Sequence, residues 1–184
     1  MKNQSHALTK EQIDRVISLY SSGKIEESIS AIKALNNDYP NVPLLFNLLG
    51  ACYKALGKLQ ASAKAFEAAT TIKPDYAEAY NNLGIVQMQL RNLDDSAESF
   101  KRAIAIKPDY VEAHNNLGVV FKELNRLEDA VKIYEKVISF KPGYAEAHNN
   151  LGNLFKTLGM FNEAVKCYEK SLDIKPDYVE AHNN

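Results

Sequence analysis

The chain has 184 residues, 46% of them hydrophobic, and its 22 basic and 23 acidic residues leave a formal net charge of -1. That balance suits a folded protein of one or two domains and provides no field for gathering phosphate backbones, so nucleic acid is not an expected partner. No apolar run approaches the roughly 20 residues a membrane span requires, and the polar opening MKNQSHALTKEQ is unlike a secretory signal. The two cysteines, Cys52 and Cys167, form no spaced motif and are expected as buried free thiols in a reducing compartment, which makes the cytoplasm the expected location.

Along the chain, residues 1–8 read as a disordered tail, and Thr9 to Gln12 as a capping box that starts the first helix of a unit at 9–42. Pro40, Pro74, Pro108, Pro142 and Pro176 then recur every 34 residues. On the same grid Gly50, Gly84, Gly118 and Gly152 share one slot, and Gly23, Gly57 and Gly159 share another. The boundaries that follow are 43–76, 77–110, 111–144 and 145–178, with 179–184 opening a truncated sixth unit. Apolar residues recur at spacings of three and four on both sides of the mid-unit glycine, so each unit is two amphipathic helices. The glycine suits the left-handed residue that ends the first helix, and the proline cannot continue the second. Asn125 can take the glycine's place, whereas Arg91 fits it poorly and a different helix end is expected there.

The slots Leu83-Gly84, Phe100, Ala103 and Pro108 resemble the tetratricopeptide repeat, a 34-residue helix-turn-helix unit. So do Leu117-Gly118, Ala130, Tyr134 and Pro142; Leu151-Gly152, Phe155, Ala164, Tyr168 and Pro176; and Leu49-Gly50, Tyr53, Phe66, Ala69 and Pro74. Residues 9–42 are a weaker copy, with Gln12, Arg15 and Val16 at consensus positions, and read as a capping repeat. The resemblance implies an all-α, right-handed superhelical solenoid. Because the sixth unit stops inside its first helix, the chain reads as a piece of something longer. An uncovered last repeat would also permit homo-oligomers.

Asparagine is a middling to poor helix former, yet it is written in pairs at one helical position of successive units. At 100° per residue, with Phe121 set toward the core, His114, Leu117, Gly118 and Leu124 fall on the buried arc, and Asn115, Asn116, Val119 and Lys122 fall opposite. The resemblance implies that this polar face of the first helices lines a concave groove. A first amide row is Asn47, Asn81, Asn115, Asn149 and Asn183; a second is Asn82, Asn116, Asn150 and Asn184, with Leu48 interrupting it. Between them runs Ala51, Ile85, Val119 and Asn153, and beside them Lys54, Met88, Lys122 and Lys156. A primary amide carries two donors and an acceptor, which matches what a peptide backbone presents at each residue. The second row resembles the asparagine ladder in the superhelical arm of O-linked N-acetylglucosamine transferase, where such amides hold bound protein segments. The carboxylate-clamp pattern needs basic residues where this chain has Asn81, Asn115 and Asn149.

Other repeated residues have structural readings. His114, His148 and His182 share a slot too widely spaced in a helix stack for one metal ion. Glu78, Glu112 and Glu180 follow Asp75, Asp109 and Asp177 by three residues, which reads as helix capping and extends to Glu146. Lys73, Lys107, Lys141 and Lys175 would complement helix C-termini, and Tyr76, Tyr110, Tyr144 and Tyr178 would pack between repeats. Gln87 stands in an otherwise apolar or aromatic slot. No nucleophile stands beside a base and no cluster has metal-ligand spacing, so neither catalysis, a metal nor a cofactor is expected. The expected function is a protein-interaction scaffold that holds an extended peptide. The alternatives are the substrate-selecting arm of a glycosyltransferase or sulfotransferase and a self-assembly module.

Overall fold

The structure, a computed structural model, describes residues 8–182, apart from the side chains of Glu180 and His182. It divides into two compact units, Met1–Leu90 and Arg91–Asn184. Unit 1 holds α1 (Lys10–Ser21), α2 (Ile25–Asp38), α3 (Pro43–Ala55), α4 (Leu59–Ile72) and α5 (Ala77–Gln89). Unit 2 holds α6 (Leu93–Ile106), α7 (Val111–Glu123), α8 (Leu127–Phe140), α9 (Ala145–Thr157), α10 (Phe161–Ile174) and α11 (Val179–His182). No strand occurs among the described residues. The expected tail at 1–8 falls mostly outside them, but Leu8 packs against the core of unit 1.

The mid-unit turns follow from backbone chemistry. Gly23, at φ 77°, donates its N–H to the carbonyl of Tyr20 and the next residue donates to Leu19, closing the paired bonds of a Schellman end. Gly57 and Gly159 do the same, and so does Asn125 at φ 57°. Arg91, expected to fit poorly, also takes positive φ, 65°, as the glycines and Asn125 do. A non-glycine residue there costs about 1 kcal/mol or more, and the Arg91 guanidinium is held by the Glu123 carboxylate of α7. Thr9 and Gln12 form the expected reciprocal capping box.

The expected Asp-x-x-Glu caps do not form at Asp75–Glu78 or Asp109–Glu112, and that of Asp177 with Glu180 lies outside the described side chains. The N-cap residues of α5, α7 and α9 are Tyr76, Tyr110 and Tyr144, and none carries a side-chain cap bond. Asp75 and Asp109 stand one residue too early to reach the first free N–H groups of the helix. The turn is instead pinned by its lysine, whose ammonium lies over the tyrosine ring three residues on, at 5.1 Å for Lys73–Tyr76 and 4.7 Å for Lys107–Tyr110. Lys141–Tyr144 and Lys175–Tyr178 repeat it at 4.9 and 5.1 Å. Exposed cation–π pairs of this kind contribute about 0.5 to 1 kcal/mol each.

Packing explains the other glycine slot. A Cβ on Gly50 would lie 2.7 Å from the Phe66 ring, and one on Gly118 would lie 2.6 Å from the ring of Tyr134. The absent side chain lets the aromatic ring of the second helix lie on the backbone of the first. In unit 1, Val16, Ile29, Ile32, Leu45, Leu49, Cys52 and Ala65 form one buried cluster. Ser28 and Ser62 tie helix to helix by donating to the carbonyls of Val16 and Gly50 at 3.1 and 2.7 Å. In unit 2 the buried large hydrophobic side chains include Phe100, Leu117, Val120, Phe121, Tyr134, Val137, Leu151, Leu154 and Tyr168.

Candidate functional site

The two asparagine rows have different environments. In the first row, Asn81, Asn115 and Asn149 are buried, at 6, 6 and 4% exposure, and only Asn47 is half-buried. The second row, Asn82, Asn116 and Asn150, is half-buried throughout. The expectation that both amides lie opposite the core is therefore corrected for Asn81, Asn115 and Asn149. A wheel with one core direction describes a helix covered on one side, but α7 packs against both α6 and α8. Burial therefore extends over Ala113, His114, Asn115, Leu117, Gly118, Val120 and Phe121. Asn183 and Asn184 lie outside the described residues.

Inside each unit the second row is anchored on the first. In unit 1 Asn82 Nδ2 of α5 donates to Asn47 Oδ1 of α3 at 3.1 Å. In unit 2 Asn150 Nδ2 of α9 donates to Asn115 Oδ1 of α7 at 3.4 Å. Asn115 Nδ2 donates in turn to Glu146 Oε1 at 2.9 Å, and the other carboxylate oxygen accepts the Tyr144 hydroxyl at 2.9 Å. Tyr134 hydrogen-bonds Asn150 from the α8 side. Burial first, and the Glu146 charge with it, holds the Tyr134 and Tyr144 phenols well above their ordinary range, so both remain protonated. Glu146 is thus a link between helices rather than a cap.

Between and beside the amides, Ile85, Val119 and Asn153 are half-buried, as is Lys54, while Lys122 and Lys156 are exposed. Asn153 Oδ1 accepts the Tyr168 hydroxyl at 2.9 Å. Two residues of the weak first repeat escaped the sequence reading. Ile17 and Tyr20 of α1 occupy the slots of Ala51 and Lys54 one period earlier, and both are exposed. Subtracting 34 from the candidate positions would have found them.

The histidine slot is core. His114 is fully buried, its Nδ1 3.0 Å from the Tyr110 carbonyl and its ring edge-on to Phe140 at 5.4 Å. Its Nε2 is buried with no hydrogen-bond partner. Burial first, with the Lys136 charge adding to it, pulls its pKa below the usual 6.5 against the opposing carbonyl bond. His148 places Nε2 2.9 Å from the Pro142 carbonyl. Gln87 is half-buried. Among the described residues no cluster of His, Cys, Asp and Glu is arranged to hold a metal, and no helix is long and apolar enough to cross a membrane.

Repeated helices with glycine-mediated contacts and a 34-residue period define an all-α helical-repeat solenoid. The chain belongs to the tetratricopeptide repeat family: models of that family match residues 13–77 and 47–111, 99–132, and 145–178, and a TPR repeat model matches 120–159. Among solved structures it is similar to MamA, at 27% identity over 88% of this chain and 94% of that one, with a TM-score of 0.84. It also shares its fold with YrrB, described as a TPR protein with an unusual peptide-binding site, at 20% identity, 98% and 92% coverage and a TM-score of 0.82. MamA from Desulfovibrio magneticus RS-1 is similar at 17% identity, 97% and 99% coverage and a TM-score of 0.84. No match was found among the curated proteins. These matches indicate no catalytic family, and they make the chain a protein-interaction scaffold.

Proposed function

We propose that the scaffold holds an extended segment of a protein partner along the faces of its first helices, with Asn82, Asn116 and Asn150 gripping the backbone. The observation that carries this reading is the division of labour between the rows. Asn47 and Asn115 fix the positions of Asn82 and Asn150, which stay half-exposed. Each of those bonds engages one N–H of an amide that has two and an acceptor oxygen; on Asn150 the Tyr134 hydroxyl takes up a further position. An amide already held in place loses less rotamer freedom on meeting a ligand, so it contributes more net affinity. Ile85 and Val119 supply small apolar contacts. Asn153 and the lysines Lys54, Lys122 and Lys156 favour a segment carrying carboxylates. The peptide-binding site described for YrrB, whose fold this chain shares, supports the reading.

Peptides selected from a random display library on the intact chain provide the test. At about 1 kcal/mol net per hydrogen bond, changing Asn82, Asn116 and Asn150 together to alanine weakens the selected peptides at least tenfold. The variant loses the bonds to Asn47 and to the buried Asn115 and should melt lower, so circular dichroism at the binding temperature establishes that it is folded before affinities are compared. Undiminished affinity in the triple variant removes the backbone-gripping role.

A further inference from the structure

The carboxylates that open the first helices have no part in the peptide reading. Glu78, Glu112 and Glu146 share one slot, and each stands four residues before an asparagine of the second row. From Glu112 the α7 sequence reaches Asn116, Val119 and Lys122 at intervals of four, three and three. From Glu146 the α9 sequence reaches Asn150, Asn153 and Lys156 at the same intervals. Residues three and four apart are neighbours on a helix surface, so each set is a continuous stripe. Its carboxylate and ammonium ends are separated by about 15 Å of helix. The bond from Asn150 to Asn115 sets the two stripes side by side. Unit 1 has no stripe of this kind: the slot of Glu112 holds Leu44 on α3, and that of Lys122 holds Tyr20 on α1 and Met88 on α5.

The charges of the α7 stripe are uncommitted within the chain. Glu112 and Lys122 are exposed, and among the described residues neither enters an ion pair. On α9, Lys156 is exposed, while Glu146 is half-buried and held by Asn115 and by the Tyr144 hydroxyl, at 2.9 Å each. Burial first, then the charges of Glu146 and Glu112, hold the Tyr144 phenol above its ordinary range, so both carboxylates act on one point. A carboxylate anywhere in the first turn eases the helix dipole. At 112 and 146 it also heads an amide stripe.

We propose that this face of unit 2 selects a protein segment with opposite charges on adjacent residues, its arginine or lysine directed toward Glu112 and Glu146 and its aspartate or glutamate toward Lys122 and Lys156. The inference rests on the backbone-gripping reading and adds the side chains that the gripped segment carries. Amides that bond a backbone meet its N–H and C=O groups, which in an extended chain lie at right angles to the side chains. A segment crossing α7 and α9 over Asn116 and Asn150 therefore directs successive side chains toward opposite ends of the helices. Opposite charges fall at odd spacings in its sequence and like charges at even ones. The basic residue has to be a long one, because Glu146 is drawn back by its two bonds. Lys122 and Lys156 have flexible four-carbon stems and can reach a short aspartate. Charge matching of this kind sets which segment is accepted more than how tightly it is held.

The test uses peptides selected from a random display library on the intact chain, then fluorescence anisotropy with one of them. Selected sequences should place basic and acidic residues at odd spacings. An isomer of the same composition with its like charges made adjacent should bind about tenfold more weakly, since two or more exposed ion pairs are lost together. In a double-mutant cycle, replacing one of the peptide's basic residues by alanine should cost about threefold against the parent chain and nothing against Glu112→Gln. The acidic residue should behave likewise against Lys122→Met, which writes in the residue that α5 carries at that slot. Both effects should shrink at high salt. Circular dichroism checks the fold of each variant; should Lys122→Met melt early, Lys122→Gln replaces it. Selected peptides that weaken when Asn82, Asn116 and Asn150 become alanine, but are indifferent to charge order and to both charge-removing variants, overturn this proposal and leave the amide reading standing. Peptides that respond to the charge variants but not to loss of the asparagines remove the backbone grip, and the alternation derived from it falls as well. A library that yields no peptide ends both readings.

Discussion

In unit 1 the first-row amide of α3, Asn47, is half-buried and accepts one bond from Asn82. In unit 2 its counterpart Asn115 is buried and meets both Asn150 and Glu146, with Tyr144 behind the carboxylate. The difference shows how depth and satisfaction scale together: an amide at the water's edge tolerates one protein partner, and one withdrawn from water needs its donors and acceptor matched. The same slot is a surface pair in one unit and the centre of a polar network in the other.

Breaking the network should therefore cost more than breaking the pair. Asn115→Ala should lower the unfolding free energy in urea by about 3 kcal/mol, since it leaves the Glu146 carboxylate short of a donor. Asn47→Ala should cost about 1 kcal/mol, and equal losses in the two variants would erase the distinction. Tyr144→Phe, which removes a hydroxyl bonded to a carboxylate at a half-buried position, should cost about 1.5 kcal/mol by the same measurement.

The smallest effect is one of pH. The slot of His114 holds Phe46 and Tyr80 in unit 1, neither of which carries an imidazole. Because His114 has its pKa lowered on folding, the unfolded chain binds more protons below about pH 6.5, and stability falls as pH drops through that value. The melting temperature should decline between pH 7 and pH 5, and His114→Phe, which writes the unit 1 residue into unit 2, should flatten part of that decline. An identical slope in the variant would show that His114 does not carry it.

Much of this was legible in the residues. Proline and glycine spacing located the helix ends because those residues restrict the backbone locally, and Thr9 with Gln12 announced a cap for the same reason. Positive φ at Asn125 could be foreseen, whereas Arg91 adopts it with its guanidinium held by Glu123, a partner 32 residues away that local propensity does not see. The candidate site was legible as slots but not as depths. Asn115 and Asn116 are neighbours in sequence, and only the second flank of α7 decides that one is buried and the other half-exposed. Glu146 looked like a cap because its partner Asn115 belongs to the preceding repeat. The lysine–tyrosine stacking likewise came from turn geometry rather than from charge at a helix end.

The central claim is that neighbouring asparagines do two jobs, one joining helices and the other meeting a partner. Side-chain NH₂ resonances in a nitrogen-15 correlation spectrum report both at once during titration with a selected peptide. The account predicts that the signals of Asn82, Asn116 and Asn150 shift while those of Asn81, Asn115 and Asn149 hold their positions. Stationary signals from Asn82, Asn116 and Asn150, with saturation demonstrated, would contradict it.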